Sequence, residues 1–182
     1  MIAGAERASF DTFVVVDWSA RNAPMTGADT IWIAVLDRGG APLLSNPPTR
    51  AVAERTLRDM LAGRPESRVL LGIDVSLGYP AGTAELFGLH GVPWQAMWHE
   101  ITSLVRDDDR NRSNRFEVAA ALNARTGLAG PFWGRPSAQR FATLSATKPR
   151  TDHRGVPQVA EHRECDQSLR LNGSARHPAW ER

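Results

Sequence analysis

The chain has 182 residues with a formal charge of +2; 42% are apolar, 23% charged, and one is cysteine. That length supports one domain with a real core, the composition is globular rather than disordered, and so small a charge does not by itself call for nucleic acid. The lone Cys165 excludes an internal disulfide, and no apolar run approaches the roughly 20 residues of a membrane helix.

The N-terminal stretch MIAGAERASF lacks a signal-peptide core, so the expectation is a cytoplasmic protein with no membrane partner. The basic residues are nearly all arginine and crowd toward the C-terminal half. That bias permits a phosphate-bearing ligand or a nucleic acid without requiring one.

Residues 12–18, TFVVVDW, are β-branched and aromatic and read as a buried strand. A polar turn with Pro24 and Gly27 follows, then a second strand over 30–37, TIWIAVLD. The DRGGAP segment reads as a tight hairpin leading into a short third strand, PLLSN. Short loops make these three an antiparallel meander, because parallel pairs need long crossovers. Residues 50–62 change to a helical period, with Thr49 able to cap the start and Gly63 and Pro65 ending it. RVLLGIDVS is then a fourth strand, parallel to an earlier one because a helix separates them. Its unbroken apolar run predicts burial on both faces.

Beyond Pro80 the pattern is helical. GTAELFGL is short. PWQAMWHEITSLVRD opens on a first-turn proline and aligns Trp94, Met97, Trp98, Ile101, Leu104 and Val105 on one stripe. SNRFEVAAALNART forms a further helix, GPFWG a turn, residues 134–158 a loop, and AEHRECDQSLRL a last helix. The reading is a single α/β domain over 1–182: a sheet core at 10–80, a helical part at 81–130, and a loop with a terminal helix at 131–182.

Two of the strands end alike, in Asp17-Trp18-Ser19 and in Asp74-Val75-Ser76. In the element order above, Asp17 and Asp74 can lie side by side in one sheet. Two carboxylates held close in a low dielectric repel by several kcal/mol, and a shared proton, a nearby cation or a bound divalent metal relieves them. Magnesium or manganese would also supply phosphoryl chemistry. The plainer reading makes each aspartate a turn or cap residue. Ser19 and Ser76 either meet a phosphate oxygen or close local turns. Asp166 shares a helical face with Arg163 and Arg170. That trio is either a surface ion-pair ladder or a third metal carboxylate with two phosphate-holding arginines.

The motifs resemble a family of ribonuclease H-like fold, the domain of unknown function 429 and its relatives. VVVDWSA resembles that family's first-strand aspartate motif, LLGIDVSLGYP its second, and RECDQSLR a motif of arginine, cysteine, aspartate and arginine. SNRFEVAAALN and GPFWG are similar to a subgroup often labelled a molybdopterin-guanine dinucleotide synthesis protein, although no residue here specifies a pterin. The resemblance implies a mixed sheet with a three-stranded meander, a parallel fourth strand and flanking helices. It also implies a fifth strand, and nothing after Asp166 reads as one. The expectation is therefore a C-terminally truncated chain whose open sheet edge takes a partner strand or a second copy.

Other chemistry-bearing residues read blandly. Asp107–Asp109 lacks the glycine and final glutamate of a calcium loop. The five histidines show no zinc spacing, and no Walker or dinucleotide glycine motif occurs. Three functions remain open: a metal-dependent phosphodiester hydrolase; an ATP-dependent phosphotransferase, disfavoured because the chain is short for two lobes; and a non-catalytic binding module or remnant.

Overall fold

The computed structural model describes residues 10–127 and 130–148. They form an α/β structure with one mixed four-stranded sheet. β1 is Thr12–Asp17, β2 Trp32–Asp37, β3 Leu43–Ser45, α1 Arg50–Ala62 and β4 Val69–Ile73. The strand order is β3-β2-β1-β4, with β1–β2 and β2–β3 antiparallel and β1–β4 parallel. The meander, the crossover helix and the parallel fourth strand are those read from the sequence.

The residues fall into two compact units: those up to Val75 with Asp107–Ser113, and Ser76–Arg106 with Asn114 onward.

In the first unit, β1 alternates strictly. Thr12, Val14 and Val16 are buried, while Phe13, Val15 and Asp17 are exposed. Period-two geometry sends alternate side chains to opposite faces, and α1 covers only one of them. Val14, Val16, Ile31 and Ile33 pack there with Ala53 and Leu57 of α1. Each buried Val, Leu or Ile contributes roughly 1.5–3 kcal/mol relative to exposure. The four-residue spacing of Ala53 and Leu57 puts both on one helical face, while Glu54 and Arg58 pair on the outside. Thr49 caps α1, its Oγ1 accepting from the Val52 N–H at 3.2 Å.

The β2–β3 connection turns on Gly39 at φ +76°, where a side chain would be strained, and the Gly40 N–H donates to the Asp37 carbonyl. At the half-exposed edge of the core, the Asp37 carboxylate accepts from Thr12 Oγ1 at 2.6 Å and from Arg64 Nη2 at 3.0 Å. Arg64, and secondarily Thr12, hold its carboxyl below the usual carboxylate range.

The expectation of a doubly buried β4 is wrong. Among the described residues of the first unit the second sheet face carries no helix; Val15 is 61% and Leu70 46% exposed. An apolar run records that burial is affordable on both faces, not that chain is available to cover both.

The second unit is helical: α2 Thr83–Leu86, α3 Pro93–Leu104 and α4 Arg115–Arg125. Its core joins Ala84, Phe87, Met97, Val118 and Leu122, with Phe132 stacked on Phe87 at 5.7 Å between centroids. Pro93 starts α3 at its first turn, as read. Trp94 departs from the expected core stripe and is 57% exposed; Trp98 is half-buried, with its indole N–H on the Leu77 carbonyl at 3.1 Å. Asn123 is fully buried. Its amide donates to the Phe132 and Thr143 carbonyls at 2.8 and 2.6 Å and accepts from the Phe132 N–H at 2.9 Å. One side chain thus fixes the segment that follows α4. No helix among the described residues is long and apolar enough to cross a membrane.

Candidate functional site

Asp17 is the last residue of β1, and Asp74 follows β4 directly. The parallel register pairs Val16 with Ile73, and the Asp74 N–H continues the ladder to the Val16 carbonyl at 2.9 Å. One step further along, Asp17 and Asp74 stand abreast at the carboxyl ends of neighbouring strands. Alternation places both on the face that α1 leaves open, together with Phe13, Val15, Leu70 and Gly72. Trp32 of β2 lies opposite Asp17 on its other side.

Both carboxylates are exposed. Water therefore weakens their repulsion, and the several kcal/mol expected of a buried pair does not apply. A cation is not required to make the pair tolerable. What remains is a chemical opportunity. Two exposed carboxylates carried on backbones about one strand spacing apart, near 4.8 Å, suit magnesium, which takes one or two protein carboxylates and fills its octahedron with water or phosphate. Among the described residues no group of three or more His, Cys, Asp or Glu side chains could enclose a metal.

The serines divide. Ser19 Oγ accepts from the Arg21 N–H at 3.4 Å and donates to the Asp29 carbonyl at 3.5 Å, a local turn role. Ser76 is exposed and opens the second unit. Asp166, Arg163 and Arg170 lie outside the described residues, so the acidic pair stands on Asp17 and Asp74.

The loop after β1 is held by residues that no sequence motif singles out. The Arg50 guanidinium donates to the carbonyls of Ser19 at 3.4 Å, Arg21 at 2.8 Å and Asn111 at 2.8 Å, and to the Asp107 carboxylate at 2.5 Å. Asn111 is buried at φ +64°; its side chain accepts from the Arg50 N–H and donates to the Ala23 carbonyl. Asp107 thus faces Arg50, and Asp108 pairs with Arg112 and accepts from two backbone N–H groups of its own turn. Neither is free to serve a metal loop. No sequence signal links Arg50 to Asn111, which lies 61 positions away.

Two cavities stand out among the described residues. One, bordered by Ser19, Arg21 and Asn111, has about 10 Å³, room for no more than one water. The other is an open groove of about 500 Å³ in the second unit, beside His90 and His99. Neither includes Asp17 or Asp74. Comparison with protein-family models, with curated proteins and with solved structures returns no match to the chain.

Proposed function

We propose that this chain is a metal-dependent phosphoryl-transfer enzyme of ribonuclease H-like fold, most simply a phosphodiester hydrolase using magnesium or manganese. The observation that supports the reading is the pair of aspartates abreast at the carboxyl ends of parallel β1 and β4. The element order, three antiparallel strands, a helix and a parallel fourth strand, is the order that the resemblance implies.

In this reading Asp17 and Asp74 hold the divalent ion through their exposed oxygens. A bound ion of that kind polarises a phosphoryl oxygen and lowers the pKa of an attacking water. The protein's part is to fix two carboxylates on one rigid sheet, with the turn at Ser19 pinned by Arg50 beside them. Asp166 would add a third carboxylate, and Arg163 and Arg170 would steady the phosphate. Calorimetric titration with Mg²⁺ and Mn²⁺ tests the reading. The wild-type chain should bind, and Asp17→Asn and Asp74→Asn should each weaken binding by about tenfold or more. Equal affinity in all three removes the proposal.

A second reading, a non-catalytic binding module, draws on a different observation: the acidic pair lies on an open sheet face and borders neither cavity. It predicts no ion binding and no hydrolysis at any metal concentration.

A further inference from the structure

The two edges of the sheet differ. β3 is three residues long and is bracketed by Pro42 and by Pro47 and Pro48, which remove backbone donors. β4, the opposite edge, runs Val69–Ile73 without a proline, a charge or a bulge. Among the described residues no strand pairs with its outer side, and Leu70, Leu71, Gly72 and Ile73 are exposed. Natural sheets blunt such edges unless something pairs with them.

The backbone states which groups are on offer. The Arg68 carbonyl accepts from the Thr12 N–H, and the Asp74 N–H donates to the Val16 carbonyl, so residues 68, 70, 72 and 74 face β1. Val69, Leu71 and Ile73 therefore point their N–H and C=O groups outward. A two-fold axis through Leu71 sets Leu71 against Leu71 of a second copy and Val69 against Ile73. Each is then a hydrogen-bonded antiparallel pair that uses the outward donors and acceptors of the three residues, the Ile73 carbonyl with its second lone pair, since it already accepts from the Val75 N–H at 3.0 Å. Sliding the register by two residues either way leaves some of them unpaired.

That same register sets Arg68 opposite Asp74 of the second copy, twice by symmetry. Those positions form non-hydrogen-bonded pairs, where side chains approach most closely, and alternation puts both on the same face. Both residues are exposed. Arg68 extends along that face over the Phe10 ring, 5.6 Å from its centroid. The register that uses all the hydrogen bonds is thus also the one that matches the charges.

From this agreement we propose that β4 is a self-association edge: two copies join antiparallel about Leu71 into one continuous sheet, locked by reciprocal Arg68–Asp74 ion pairs. The pairing shares Asp74 with the proposed ion site but needs no metal, so it is tested in EDTA and either proposal can fail alone.

Sedimentation equilibrium of the full chain in EDTA, from micromolar to about millimolar, tests it. The wild type should show a concentration-dependent dimer. Arg68→Asp or Asp74→Arg places like charges opposite each other and should weaken association by about tenfold or more. The double exchange Arg68→Asp with Asp74→Arg restores opposite charges and should restore the dimer. Leu71→Pro is a second variant whose deleted N–H faces away from β1, on an edge strand where proline is tolerated; it should give a monomer with unchanged far-UV circular dichroism. A wild-type monomer throughout overturns the proposal, whether or not another strand binds the edge. So does a dimer indifferent to the charge reversals and to Leu71→Pro.

Discussion

Replacing Asp17 and Asp74 singly and together by asparagine tests whether the sheet holds the two charges as neighbours. The strands are paired in parallel, and the two residues share a face one step past the Val16–Ile73 pair. Strand spacing is about 4.8 Å, so carboxylates about 5 Å apart repel by about 1 kcal/mol in bulk water and about 3 kcal/mol at an effective dielectric of 20. Both are exposed, which favours the lower figure. In EDTA at low salt each single substitution should stabilise the chain by about 1 kcal/mol, and the double substitution by no more than either alone. Urea unfolding at micromolar concentration reads this coupling. At about 1 M salt, where the Debye length is about 3 Å, it should shrink toward zero. Adding Mg²⁺ should reverse its sign if both residues hold one ion. Additive single effects at low salt would show that the side chains diverge, and with that the basis for a shared ion is gone.

Two further expectations concern the helical unit. Asn123→Ala leaves the buried Phe132 N–H and the Phe132 and Thr143 carbonyls without their side-chain partner, and should destabilise by about 3–5 kcal/mol in urea unfolding; a loss under about 1 kcal/mol would mean that water replaces the amide. Tyr79 is the sole tyrosine, and burial raises its phenol above the ordinary value. Its ionisation, followed by ultraviolet absorbance, should therefore have a midpoint above about pH 10 in the folded chain and fall to about 10 in urea. Because the unfolded phenol loses its proton first, Tyr79 subtracts stability as pH rises through about 10 toward the folded value; equal midpoints in both states would contradict its burial.

How much of this was legible follows from the range of each interaction. The helix at Arg50–Ala62 and its Thr49 cap are written within a dozen residues, and the structure has both. The meander follows from short loops, and the parallel β4 from an intervening helix. Longer-range facts left no trace. The apolar run of β4 carries no mark of which face has a neighbour, so on sequence alone it reads as buried on both. Trp94 fits a helical stripe as well as Met97 does, yet only Met97 meets other side chains of the core. Arg50 and Asn123 act on partners chosen by the fold, and a polar residue at such a position looks like any other. The division at Val75–Ser76 lies just before Gly78 and Pro80, close to the boundary at 80–81 read from the sequence.

The placement of the acidic pair is finally a matter of register. Strand side chains alternate, so a slip of one residue between β1 and β4 would carry Asp74 to the face opposite Asp17. Burial resists that slip only weakly, because of the β4 residues Val69 alone packs against the core and the rest are exposed. The stronger constraint lies at the far end of the strands. The Asp11 N–H donates to the Arg68 carbonyl at 2.8 Å, its carboxylate accepts from the Arg68 N–H at 2.9 Å, and its carbonyl accepts from the Arg38 N–H at 2.8 Å. These contacts bind the start of β1 to residues beside β4 and β2 at once, and a one-residue shift would break them together. Asp11 touches neither Asp17 nor Asp74, yet it helps to decide that they share a face. Whatever the two carboxylates bind, their common orientation is fixed six residues upstream, by an aspartate whose own role is to set the ladder.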